Sequence, residues 1–360
     1  MSTYCKYYKE KKQVSYDNGI TYVDVVPAEY RKGELIEIGS ADCVIAPSGY
    51  STHFLTLVPL ENGEFTFDVF SGATGTYYIY YSMDSGSTWN TLTLSTASTA
   101  SIQVTSGNKV MLKGNGYTGY AYLLINSTCY YNVEGNILSL DYGDNFTGQT
   151  SVPSNLHTHH NLFSGSTQLI SAENLILPYY FASDDRGYGF ANGMFKDCTS
   201  LTTAPITLPA TTLVDACYNG MFQNCTSLTT APVLPATDLA IMCYNNMFAG
   251  CTSLITAPAL PATTLATSCY VGMFQNCTSL ATAPELPATT LADTCYYNMF
   301  NGCTSLNYVK CLATNIPSVY CTYDWLSNVA SSGTFVKASS MRVWERSGNG
   351  IPSNWSVQNA

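Results

Sequence analysis

The side chains of this sequence that are able to do chemistry are few and far apart. Ser82-x-Asp84-x-Gly86-x-Thr88-Trp89 fits the Asp-box pattern, and Ser15-x-Asp17-x-Gly19-x-Thr21-Tyr22 is a weaker copy. A short carboxylate in such a turn accepts the turn's own N–H groups, so Asp84 reads as a hairpin staple rather than a catalytic acid. Gly114-x-Gly116-x-x-Gly119 has the spacing of a dinucleotide-binding glycine loop, which needs a helix directly behind it. The next residues, Tyr120-Ala121-Tyr122-Leu123-Leu124-Ile125, predict a strand instead, and the glycines read as a hairpin. His157, His159 and His160 sit in a loop with no carboxylate at a helical offset, and one chain offers too few ligands for a metal. In a trimer, three copies of His157-x-His159 meeting on the axis would coordinate a metal octahedrally; an ordinary exposed loop is the simpler reading. Asp184-Asp185, in an insertion, is suited to cations or sugar hydroxyls, or simply to solvent.

The usual catalytic constellations do not occur. There is no Gly-x-Ser-x-Gly, no His-Glu-x-x-His and no P-loop. Four histidines leave little general-base chemistry near neutral pH. A capsule-degrading glycosidase would need a carboxylate pair that the sequence does not display. The expectation is a non-enzymatic chain without a cofactor.

Recognition chemistry is better represented. Tyr218, Tyr244, Tyr270 and Tyr296 recur at one place in a repeat, and Asn219, Asn245, Val271 and Tyr297 vary beside them, as do Gly220, Asn246, Gly272 and Asn298. Amphipathic rings with adaptable polar neighbours make contact surfaces for sugars or proteins. Tyr218, Tyr244, Tyr270, Tyr296, Asn219, Asn245 and Tyr297 are therefore the candidate binding residues. The alternative is that the rings pack between repeats with only their hydroxyls wet.

The repeat that must position these residues is the strongest signal in the chain. Met194-Phe195, Met221-Phe222, Met247-Phe248, Met273-Phe274 and Met299-Phe300 recur at steps of 27, 26, 26 and 26 residues. Cys-Thr-Ser-Leu follows each pair, then Leu-Pro-Ala-Thr, then Cys-Tyr before the next Met-Phe. Leu162-Phe163 with Ser166 reads as an entry repeat, and Cys321 with Trp325 as an exit repeat; atypical ends cover the open core of a stack. Leu239, Cys243 and Met247, spaced i, i+4, i+8, predict one face of a short helix capped by Thr237 and Asp238. Leu254-Ile255-Thr256-Ala257 predicts a short strand ended by Pro258. Cys217, Cys243, Cys269 and Cys295, and Cys198, Cys225, Cys251, Cys277 and Cys303, are expected to form two ladders of buried free thiols.

The unit MFxxCTSLTTAPxLPATTLAxxCY resembles the BspA-like leucine-rich repeat of bacterial surface antigens, over roughly 162–329. The resemblance implies a ligand-binding or adhesive solenoid. The Asp box is similar to that of sialidases, where it is a hairpin staple away from the chemistry.

Ahead of the repeats, residues 51–131 alternate in period two (Phe65, Phe67, Val69; Tyr77, Ile79, Tyr81) with turn signals at Asn62-Gly63, Ser85-Gly86 and Gly107-Asn108. This predicts a small β-sandwich. The expected architecture is mixed: residues 1–50 an anchoring segment, 51–131 an all-β sandwich, 132–161 a connector, 162–330 a short-strand/short-helix leucine-rich-repeat solenoid, and 331–360 a cap bearing Trp344 and Trp355. Val14-Ser15-Tyr16-Asp17-Asn18-Gly19-Ile20-Thr21 and Glu29-Tyr30-Arg31-Lys32-Gly33-Glu34-Leu35-Ile36 resemble the front ends of structural proteins of crAss-like bacteriophages. Tyr131 to Asn136, Gly143 to Phe146 and the tail from Gly350 to Gln358 look like parts of the same mosaic. That resemblance implies a virion fibre, joined to other virion proteins through residues 1–50 and binding a host-surface glycan or protein, with a homotrimer as the expected assembly. A bacterial cell-surface adhesin is the alternative.

Composition agrees with a recognition protein. Charged residues make up 11% of the chain and the net charge is −10, which leaves no basic footprint for nucleic acid. No apolar run is long enough to span a membrane, and the start MSTYCKYYKEKK offers no signal-peptide core, so a route out of the cell through virion assembly is expected.

Overall fold

The computed structural model describes residues 52–69, 76–95, 99–114, 123–152, 159–181, 189–347 and 349–360, together with the backbone of four strands ahead of them. Those four are β1 (Tyr4–Tyr8), β2 (Lys11–Ser15), β3 (Val23–Val25) and β4 (Ile36–Glu37), an antiparallel sheet of order β3-β2-β1-β4. The described chain is mostly β and turn. Its one α-helix is the four-residue α1 (Ser139–Tyr142).

The period-two segment forms β5 (Leu55–Pro59), β6 (Gly63–Val69), β7 (Tyr77–Ser82), β8 (Asn90–Leu94), β9 (Ala100–Val104), β10 (Val110–Lys113), β11 (Leu123–Ser127) and β12 (Tyr131–Asn136). Alternate side chains point inward, as the pleat requires: Leu55 and Leu57, Phe65 and Phe67, Val110 and Leu112 are fully buried. Two sheets result. One has the order β13-β12-β5-β10-β7-β8, with β13 at Leu169–Ile176; the other is β11-β6-β9. Phe65 of the smaller sheet meets Tyr131 of the larger edge-on, at 5.0 Å between ring centroids.

The first module does not end at residue 131. β12 lies inside the larger sheet, antiparallel to β5 and parallel to β13. The start of the expected connector is thus sheet, and that sheet runs directly into the repeats. Beyond β13 the pairing narrows to single parallel bridges, Ser171–Thr203, Thr203–Thr230, Thr230–Thr256 and Thr282–Tyr308. The expected short strand shrinks to one residue because an Ala-Pro follows Thr203, Thr256 and Thr282, and proline has no N–H for a ladder. At the far end the strands lengthen again, in a parallel sheet of β14 (Tyr308–Cys311), β15 (Thr334–Lys337) and β16 (Ser356–Asn359). The expected cap at 331–360 therefore adds two more strands to the stack.

The expected helices are not formed. In the turn segment from Cys217 to Cys225, N–H groups alternate between two partners. Those of Cys217, Asn219, Met221, Gln223 and Cys225 bond the carbonyl three residues back. Those of Tyr218, Gly220, Phe222 and Asn224 bond Cys243, Asn245, Met247 and Ala249 of the next coil. Every fourth residue is left-handed: Ala216, Gly220 and Asn224 have φ of 53°, 58° and 60°. An α-helix needs right-handed residues and i→i−4 bonds throughout, so this backbone cannot be one. It is a square spiral with a period of four, hydrogen-bonded to its neighbours like a sheet.

Period four sorts the side chains. Cys217, Met221 and Cys225 face inward, as do Tyr218 and Phe222, all fully buried. Stacking coils turns them into ladders. Phe163, Phe195, Phe222, Phe248, Phe274 and Phe300 stack nearly parallel at 5.3 to 5.7 Å. Such ring pairs contribute about 0.5–1.5 kcal/mol each beyond their burial. Trp344 covers the end of the stack, stacked on Trp325 at 5.5 Å.

Candidate functional site

The tyrosines expected to make contact are core residues. Tyr218, Tyr244, Tyr270 and Tyr296 are at most 2% exposed. Their rings stack at 5.8, 5.8 and 6.1 Å and end on Trp325 at 6.0 Å. The direction is set by phase: each tyrosine is four residues before a buried phenylalanine and shares its face. The Gly/Asn variation at 220, 246, 272 and 298 has a backbone cause. All four positions have positive φ, which glycine and asparagine tolerate best.

Asn219, Asn245, Val271 and Tyr297 remain half-exposed, with Tyr297 stacked on Tyr323 at 5.2 Å. They form the middle column of an outward face. On its flank run Asp215, Ile241, Thr267, Asp293 and Val319, and on the other side Gln223, Ala249, Gln275, Asn301 and Ser327, of which Ala249 alone is buried. Residue type changes at nearly every coil on this face, while the inward positions repeat.

The thiols stand in two buried ladders as expected, and every cysteine from Cys129 to Cys321 is buried and unpaired. Cys225, Cys251, Cys277 and Cys303 each donate to the carbonyl of a phenylalanine in the preceding coil, at 2.9 to 3.1 Å. Burial pushes Cys251 and Cys303 up to about 12, so these groups stay protonated and unreactive.

His159 points into its own chain. Its imidazole is fully buried against Phe190, with Nε2 3.0 Å from the Asp141 carboxylate, so it cannot meet other copies at a shared metal. His157 and Asp184-Asp185 lie outside the described residues. Among the described residues no group of three or more His, Cys, Asp or Glu is placed to hold a metal, and no helix is long and apolar enough to cross a membrane. The glycine motif at Gly114 follows strand β10, and Gly116 and Gly119 lie outside the described residues.

Asp84 is the staple expected of it. Its carboxylate accepts from the Thr88 N–H at 2.9 Å, the Thr88 hydroxyl at 2.6 Å and the Ser82 hydroxyl at 2.7 Å. These bonds, those from Thr88 first, lower its pKa to about 2. The turn it fixes delivers Trp89 to the rim of a cleft of about 650 Å³ on the outer face of the larger sheet. Tyr80, Thr91 and Lys113 form its floor, and the turn from Tyr142 to Asn145 forms the facing wall. Of these residues Trp89 belongs to the Asp box and Gly143 to Asn145 to the turn noted in the sequence, while Tyr80, Thr91 and Lys113 belong to no motif. Lys113 and Asp144 are far apart in the chain and carry no mark of their pairing.

No family model, curated protein or solved structure matches the chain.

Proposed function

We propose that this chain is a non-enzymatic fibre or adhesion protein of a bacteriophage virion, held in the particle by residues 1–50 and meeting a host-surface glycan or protein with its stacked coils. In this reading the two packed sheets are a β-sandwich, and the coils are a solenoid of the BspA-like leucine-rich-repeat kind with square turns in place of helices. The supporting observation is the division within each coil. The inside repeats almost without change, whereas the outward columns headed by Asp215, Asn219 and Gln223 change from coil to coil on an unchanging scaffold. A rigid scaffold with a variable, sparsely charged face is how binding surfaces are built on repeat folds. Weak contacts along the face would be multiplied by avidity in a homotrimer.

The experiment is mass spectrometry of purified particles together with an adsorption assay. The chain should be found in intact virions, and antibodies against it should block attachment to host cells. Deleting residues 1–50 should remove it from particles. Particles that lack the chain yet adsorb normally would overturn the reading.

A further inference from the structure

We propose that the cleft on the outer face of the larger sheet is a second recognition site, for a neutral saccharide. The floor is set by strand register. Lys113 pairs with Tyr80, and Tyr80 pairs with Thr91, so the three side chains stand in one row across β10, β7 and β8. Directly paired residues share a face, with Cβ atoms roughly 4.5–5.5 Å apart. Tyr80 and Trp89 are half-exposed, and Thr91, Asp144 and Asn145 are exposed. Among the described residues no aliphatic side chain lines the cleft. The Trp89 ring is engaged by the Lys113 ammonium and by Phe54, and the Tyr80 ring beside hydroxyl, amide and carboxylate groups suits a polyhydroxylated ring. Its C–H face stacks on the negative face of an aromatic ring while its hydroxyls hydrogen-bond at the edge. A lipid or an apolar peptide would need aliphatic walls.

Charge selects a neutral ligand. The Lys113 ammonium donates to both Asp144 oxygens, at 2.7 and 2.8 Å, and lies 4.0 Å from the Trp89 ring centroid. Asp141 lines the cleft too, but its side chain is fully buried and bonded to His159, so it is not offered to a ligand. Lys113 and Asp144 cancel each other, which leaves no free positive charge to draw an acidic sugar. They also hold the wall in place, while the Asp84 staple holds Trp89, which is the preorganisation a weak ligand requires. The volume is within the range of small-molecule sites, about 300–1,000 Å³.

The site is independent of the coil face, and the test separates the two. The labelled full-length chain is applied to an array of neutral and acidic oligosaccharides, and the strongest neutral binder is titrated by calorimetry. Tyr80→Ala should weaken binding by about tenfold and Asn145→Ala measurably, with unchanged melting, and Ile255→Ala, exposed and outside both faces, should change nothing. Asn145 is exposed, so its variant carries the test if Tyr80→Ala does not fold. An array without a bound glycan, binding of acidic glycans alone, or binding undiminished in both cleft variants would overturn the proposal. Loss of glycan binding in Tyr297→Ala alone would assign it to the coils and overturn it as well.

Discussion

At the scale of single residues, the coil separates what packs from what is polar. The Tyr218 and Tyr244 hydroxyls are buried without a hydrogen-bond partner among the described residues. A buried polar group left unsatisfied is a cost, so Tyr244→Phe should leave the melting temperature unchanged or raise it. Tyr244→Ala empties a place in the ladder and should lose about 3–5 kcal/mol in denaturant unfolding. If Phe were as damaging as Ala, the hydroxyl would have a role that its burial does not show. Asparagine and glycine alternate for a related reason. Gly272 has φ of 56°, and a Cβ there would collide with the Asn246 side-chain oxygen of the coil before. Gly220 has φ of 58°, but a Cβ there would meet only Gln223, at 3.6 Å. Gly220→Ala should therefore cost only the left-handed penalty, roughly 1–2 kcal/mol, and Gly272→Ala that penalty plus the cost of moving the Asn246 side chain aside. Equal losses would contradict the interlocking of asparagine with glycine.

At the scale of elements, the repeat, its phase and the alternating strands are readable in the sequence, because their side chains sort by period. The spiral is not readable in the same way. Over eight residues, the spacing of Leu239, Cys243 and Met247 fits a helix of 3.6 residues per turn and a square turn of four equally well. The discriminating signal is the Gly or Asn at every fourth position, as in Gly220 and Asn224, which passes for surface variation. The tyrosines are misplaced for the same reason, since a period of four brings Tyr218 onto the face of Phe222. The cleft depends on the pairing of β10 with β7, which no local pattern reveals. The thiol ladders give an element-scale prediction with a definite sign. Burial raises Cys243, Cys251 and Cys303 to about 12, from an unfolded value of ~8.5. Between those values the folded chain holds more protons than the unfolded one, so stability falls as pH rises. The contribution is fully present below about pH 8.5 and is lost as pH approaches 12. Melting should be level near pH 7–8 and drop progressively above about pH 9. Level melting up to pH 11 would mean that the thiols are not buried in this way.

At the scale of the whole molecule, one hydrogen-bonded stack joins the first module to the last strand. β12 hands the sheet to β13, coil bonds carry it from Phe163 to Trp325, and β14 to β16 close it. Each coil is covered by its neighbours, so an outward residue can change at little cost to stability while an inward one cannot. Contact between this outward face and the host surface is the central proposal for the whole chain. Placing Ile241→Glu, Thr267→Glu and Tyr297→Ala together in the full-length chain, and measuring binding of the labelled protein to host cells, tests it head-on. Unchanged melting and a loss of cell binding of about tenfold or more are expected; a folded variant that binds host cells as well as the parent would show that the face makes no such contact.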